Sequence, residues 1–83
     1  MSIDNKEEMV WTEIQGQYLA FIFYYTKINR RPPAQRDFQI FFSVSPPTVH
    51  QMILVLEKKG LISRTPNASR SLTLLIPEDK LPR

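Results

Sequence analysis

"SVSPPTVHQ", Ser43 to Gln51, decides how this chain folds. Two adjacent prolines stand at the front of a run that otherwise reads as a helix. Inside a helix a proline costs about 3 kcal/mol or more, because it lacks an amide donor and its ring strikes the preceding turn. At the first turn neither objection applies. Ser45 has the side chain of an N-cap; Pro46 then falls at the first helical position and Pro47 at the second, where the amides have no helical acceptor in any case. The prolines mark a start. Val49, Met52, Ile53 and Leu56 follow at helical spacing as a buried face, and Gly60 supplies a left-handed terminator.

Upstream, Ser43-Val44 makes a tight turn behind a shorter helix from about Gln35 to Phe42, which buries Phe38, Phe41 and Phe42. The start of that helix is poorly capped, since Ala34 offers no side-chain acceptor. Further back, Thr12-Glu13-Ile14-Gln15 has the form of a capping box and opens a first helix. Ile14, Tyr18, Phe21, Tyr25 and Ile28 make its inward stripe, and Asn29-Arg30-Arg31-Pro32-Pro33 ends it, because a residue before proline is pushed out of the helical region. Downstream, Leu61 to Arg64 reads as a strand, Thr65-Pro66-Asn67-Ala68-Ser69 as a turn and Arg70 to Ile76 as the returning strand, with Leu72, Leu74 and Ile76 on one face. The order is helix, helix, turn, helix, hairpin. That order predicts a mainly α domain with a small β-hairpin, a three-helix winged helix-turn-helix over residues 11–76. Residues 1–10 read as a flexible N-terminal arm and 77–83 as a frayed C-terminal tail.

Length and composition agree with one small domain: 83 residues, none of them cysteine, so no disulfide or thiolate metal site supports the fold. The acidic, polar start is unlike a secretory signal. The longest apolar run, Tyr18 to Tyr25, has eight residues, too short to cross a membrane. A cytoplasmic location, with no membrane partner, is the expectation. Charge is unevenly placed. Residues 27–70 hold eight basic groups against Asp37 and Glu57, a balance of +6 in a chain whose net charge is +3. Such a block suits a polyanionic partner.

Setting Val49, Met52, Ile53 and Leu56 inward turns Pro47, Gln51, Leu54 and Lys58 outward, with Thr48 and His50 flanking. In a winged helix this exposed start of the third helix enters the major groove of double-stranded DNA. Ser45, Thr48, His50 and Gln51 are the candidates for base contact. Arg36, Lys58, Lys59, Arg64, Asn67, Ser69 and Arg70 are the candidates for the DNA backbone. Asp37 and Glu57 have no second carboxylate or histidine at a useful spacing, and no Gly-rich phosphate loop exists, so no enzyme, cofactor, metal or small-molecule substrate is expected. The other open reading is a protein-interaction module that has kept the shape and lost DNA readout.

The stretch "PP…FxxFFSVSPPTVH…LEKKGLISR…SRSLTLL" resembles the N-terminal DNA-binding domain of LexA-type repressors across residues 11–76. The resemblance implies base reading at Ser45, Thr48, His50 and Gln51, backbone contacts at Lys58, Lys59, Arg64 and Arg70, and a place on the nucleoid. Departures are visible. Ser43 stands where the turn usually has glycine, Gln39 where a small alanine is usual, and Pro47 and Leu54 bring no base-specific hydrogen bond. Members of that family continue into a self-cleaving domain with a Ser-Lys dyad and an Ala-Gly bond. These 83 residues contain no Ala-Gly, so self-cleavage is not implied.

One feature of the first helix points elsewhere. "FIFYY" is too apolar for a single stripe, and Gly16, Leu19, Ala20 and Phe23 line up on the far side as a second seam. Small residues permit close approach of a second helix. The expectation is a homodimer paired through helix 1.

Overall fold

Thr12 opens α1, Glu13–Asn29. Its hydroxyl accepts the Gln15 amide at 3.2 Å while Gln15 Oε1 accepts the Thr12 amide at 3.0 Å, so two of the helix's orphan donors are satisfied reciprocally. The computed structural model describes residues 11–81. The expected arm at 1–10 lies outside them, as do residues 82 and 83. Arg30 ends α1 in a left-handed conformation, φ 64°, and its amide bonds back to the Thr26 carbonyl.

Helix α2, Gln35–Phe42, follows the Pro32-Pro33 pair. Ala34 cannot cap it, and Asp37 reaches back instead: its Oδ2 accepts the Ala34 amide at 2.8 Å. Ser43 closes α2 at φ 56°, the left-handed value the turn demands and the one that glycine would take without strain. Helix α3, Pro46–Lys58, begins as the prolines require, with the Ser45 hydroxyl accepting the Thr48 amide at 3.4 Å. Gly60, φ 79°, turns the chain into the hairpin.

Strand β1, Ile62–Ser63, pairs antiparallel with β2, Thr73–Leu74, in the register Ile62 opposite Leu74 and Ser63 opposite Thr73. One more bond, from the Leu75 amide to the Leu61 carbonyl at 2.9 Å, extends the pairing. Both strands are shorter than Leu61–Arg64 and Arg70–Ile76. From Thr65 to Ser71 the chain curls on side-chain bonds and leaves the ladder. Among the described residues the architecture is mainly helical, three helices and a two-stranded hairpin, a winged helix-turn-helix.

One core unites these elements. Tyr18, Leu19 and Ile22 enter from α1, Phe38 from α2, and Val49, Ile53 and Leu56 from α3; Leu61, Ile62, Leu72 and Ile76 close it from the hairpin. The Tyr18 ring stacks on Phe42 at 4.4 Å between centroids and on Phe38 at 5.2 Å. At such distances aromatic pairs add to the burial itself.

Four expectations need correction. In α1, Ile14 and Ile28 face outward, Ile28 with 75% of its surface exposed, whereas Leu19 is fully buried and Gly16 is buried beside it. Ala20 and Phe23 are half-buried, and Phe23 packs against the core. The seam assigned to Gly16, Leu19, Ala20 and Phe23 is therefore turned substantially into the protein's own core and does not form a free dimer face. Eight consecutive apolar residues give a 3.6-residue period nothing to phase on. The second correction is Phe41, which is 65% exposed while Phe38 and Phe42 point inward. With Tyr24 and Ile28 it lines an open groove of about 510 Å³ between α1 and α2. The third is the pair of shortened strands. The fourth is the tail: Glu78–Lys80 forms a single 3₁₀ turn that brings Leu81 into the core at 6% exposure.

Candidate nucleic-acid interface

Burial of Val49, Ile53 and Leu56 fixes what α3 shows to its surroundings. Pro47, Thr48, His50, Gln51 and Lys58 are exposed, and Leu54 is half-buried. The Ser45 and Thr48 hydroxyls lie 2.9 Å apart, and the Ser45 oxygen also accepts the Thr48 amide. Ser45 thus spends its side chain holding the first turn of the helix and aiming Thr48. His50 and Gln51 have no hydrogen-bond partner among the described residues. Their polar atoms are free to meet a ligand.

The basic candidates divide by what already holds them. Lys58 and Arg36 are exposed and unpaired among the described residues. Lys59 Nζ donates to Gln15 Oε1 at 2.9 Å, the same oxygen that caps α1, and so ties the end of α3 to the start of α1. Arg64 Nε donates to Glu57 Oε1 at 3.0 Å in an ion pair. Arg70 is the largest departure. Its Nη1 sits 3.1 Å from the Tyr25 hydroxyl, 3.1 Å from Asp37 Oδ2 and 3.2 Å from the Pro32 carbonyl. The Tyr25 bond raises the already high pKa of this guanidinium, burial opposes it, and Asp37 adds a lesser upward push, with a net shift upward. Arg70 stays charged, but that charge faces the protein. Its Nη1 is engaged in an internal cluster while the side chain stays about one-third exposed, so the positive block projects less strongly than its formal +6.

The tip of the wing is built by a residue that sequence reasoning passed over. The Ser71 hydroxyl accepts the Thr65 amide at 2.9 Å and lies 3.0 Å from the Ala68 carbonyl and 3.3 Å from that of Thr65. The Ala68 amide bonds to the Thr65 carbonyl at 3.2 Å, and Asn67 turns left-handed at φ 64°. Asn67, Ala68 and Ser69 stand exposed on this frame. A serine just past a Pro-Asn-Ala-Ser turn is a residue type that bonds local backbone; that was the available signal. The tertiary partners of Asp37, Tyr25, Gln15 and Glu57 were also missed, since the first three bond side chains 33 to 45 residues away and Glu57 bonds Arg64 at the root of the wing.

Among the described residues no group of three or more His, Cys, Asp or Glu side chains could hold a metal ion, and no helix is long and apolar enough to cross a membrane. The candidate site is a surface: one helix start, one wing and, of the candidate cations, two without a partner among the described residues.

The family model described as the LexA DNA binding domain matches residues 9–71. Similar proteins include a LexA repressor of Thermosipho melanesiensis, 37% identical over 70 residues that make up 84% of this chain and 35% of that protein. A LexA repressor of Thermosipho africanus is 41% identical over 64 residues, 77% of this chain and 32% of that one. Another, of Petrotoga mobilis, is 38% identical over 65 residues, 77% and 31% respectively. The chain spans about a third of the length of the curated relatives it matches.

Proposed function

The chain belongs to the LexA DNA-binding domain family, and we propose that it binds double-stranded DNA as a sequence-specific transcriptional regulator. The observation that carries this reading is the start of α3. Its prolines and Ser45 leave no amide there asking for a protein partner, while Thr48, His50 and Gln51 stand exposed on the side opposite the core. In a winged helix this end lies in the major groove, where side chains of these types bond base edges. Thr48, His50 and Gln51 take the base contacts and Ser45 orients Thr48. Lys58, Arg36 and the wing-tip residues Asn67 and Ser69 take the backbone. Such a regulator works where its DNA is, on the nucleoid in the cytoplasm. Two copies on a two-fold site would pair through surfaces other than Gly16 and Leu19, which belong to the core.

Titration of random-sequence and selected duplexes across a salt series tests the proposal. Log affinity should fall with log salt by about 0.9 per phosphate contact, and a selected sequence should bind more tightly than the random pool at every salt. A folded protein that binds no duplex even at low salt overturns it.

A further inference from the structure

We infer that Arg70 is a positioning residue, one that clamps the wing to the junction of α1 and α2 and so sets where the wing tip meets the DNA backbone. The inference rests on the DNA-binding reading for its functional half and on geometry for the rest. A hairpin with two-residue strands holds itself weakly. Leu72 and Ile76 anchor its returning side by burial, but Thr65 to Ser69 are carried on bonds made within the turn. Beyond those bonds, the tip has one tie at each root. Arg64 holds the outgoing root to Glu57 of α3, and Arg70 holds the returning root to three acceptors from α1, the Pro-Pro connection and α2.

Arg70 itself has φ 54°, a left-handed conformation that a non-glycine residue adopts at a cost. That backbone turn accompanies a side chain spanning 33 residues of sequence to Asp37 and 45 to Tyr25. The oxygen that receives it, Asp37 Oδ2, also accepts the Ala34 amide that starts α2. One carboxylate thus references the wing to the helix preceding the turn of the helix-turn-helix. With Asp37 beside it, Arg70 also offers a phosphate less net attraction than a free arginine would.

Amide hydrogen exchange on the intact chain, without DNA, tests the clamp directly. In Arg70→Ala and Asp37→Asn the Thr65 and Ala68 amides should exchange at least roughly tenfold faster, the scale of one lost charge-assisted hydrogen bond, while Ile22 and Ile53 stay protected. Asparagine keeps an oxygen for the Ala34 amide, and Tyr25→Phe gives a third, gentler variant should Arg70→Ala fail to fold. Wing amides unchanged in both Asp37→Asn and Tyr25→Phe overturn the clamp, whatever the protein binds. DNA affinity then separates the clamp from a direct phosphate contact. A clamp predicts that Asp37→Asn weakens binding although it removes a negative charge, and that Asn67→Ala has no further effect in an Arg70→Ala background. Tighter binding by Asp37→Asn, together with a salt slope lowered by about 0.9 in Arg70→Ala, overturns it in favour of direct contact. If the wild type binds no duplex, the functional reading fails, and the exchange result still decides the clamp.

Discussion

Arg64 Nε donates to Glu57 Oε1 over 3.0 Å, which places a carboxylate of α3 against the basic root of the wing. Both side chains are partly exposed, so the pair adds little to stability, about 0–1 kcal/mol. Its electrostatic consequence is larger than its stability. It offsets one positive charge on the face proposed to meet DNA.

Glu57→Gln keeps an oxygen for Arg64 and removes the negative charge. Affinity for random-sequence duplex should rise severalfold at low salt, the gain fading as salt screens it. Thermal stability should stay within about 1 kcal/mol of wild type. Binding that is unchanged at low salt would place the Glu57–Arg64 pair away from the phosphates.

Gln51 and Lys58 share the outer side of α3 and should fail differently. Gln51→Ala should cost about 1–3 kcal/mol at a selected site and little on random duplex, because a base contact is lost. Lys58→Ala should weaken both alike and reduce the salt slope by about 0.9. Equal losses on selected and random DNA for Gln51→Ala would remove it from base reading. Competition titrations with both duplexes measure the two effects together.

The starts of α1 and α3 and the end of α3 were legible because each depends on residues within four positions. Thr12 with Gln15, Ser45 with Pro46 and Pro47, and Gly60 all do locally what their residue types dictate. The exposed face of α3 was legible too, since Val49, Ile53 and Leu56 leave one answer. The phase of α1 was not: from Tyr18 to Tyr25 every position is apolar, and burial is decided by what α2, α3 and the hairpin bring to it. The internal bonds of Arg70 were not legible for a related reason. Charge in a turn reads as solvent-facing unless its acceptors are known, and here they lie 33, 38 and 45 residues away.

Ser43 carries a testable strain. At φ 56° a serine costs about 1–2 kcal/mol over a residue without Cβ, while glycine returns roughly 0.4–1 kcal/mol of that through the entropy of the unfolded chain. Ser43→Gly should stabilise the protein by about 0.5–1 kcal/mol in denaturant titration, with DNA affinity unchanged. A destabilised variant would mean that the serine side chain has a role the turn geometry does not require.

Tyr18 predicts the alkaline limb of stability. Burial pushes its phenol above the ordinary value of 10.0, because the phenolate would sit in the core against Phe38 and Phe42. The folded state then keeps a proton that the unfolded state gives up. Its contribution is fully present below pH 10.0 and is lost as pH rises through the folded value. Tyr18→Phe should therefore show a shallower decline in unfolding free energy between neutral pH and pH 11 or so, with the difference opening only above about pH 9. Parallel curves for the two proteins across that range would show that Tyr18 does not titrate with unfolding.

Leu19 separates a core from an interface by experiment. A leucine in an exposed dimer seam, when truncated, lowers the association constant and leaves the isolated protomer about as stable as before. A leucine fully buried against its own chain behaves otherwise. Its removal costs the transfer energy of the lost methyl groups together with the cavity they leave, about 2–5 kcal/mol for Leu→Ala. In a domain of this size, whose whole stability is of order 5–15 kcal/mol, that is a large share. Leu19→Ala should lower the denaturant midpoint sharply, and the shift should be the same at micromolar and at hundred-micromolar protein. Mass action gives the contrast, because stability drawn from association varies with protomer concentration and stability drawn from a core does not. A Leu19→Ala midpoint equal to wild type at low concentration, with a deficit that grows on concentrating the protein, would return Leu19 to an interface and overturn its place in the core.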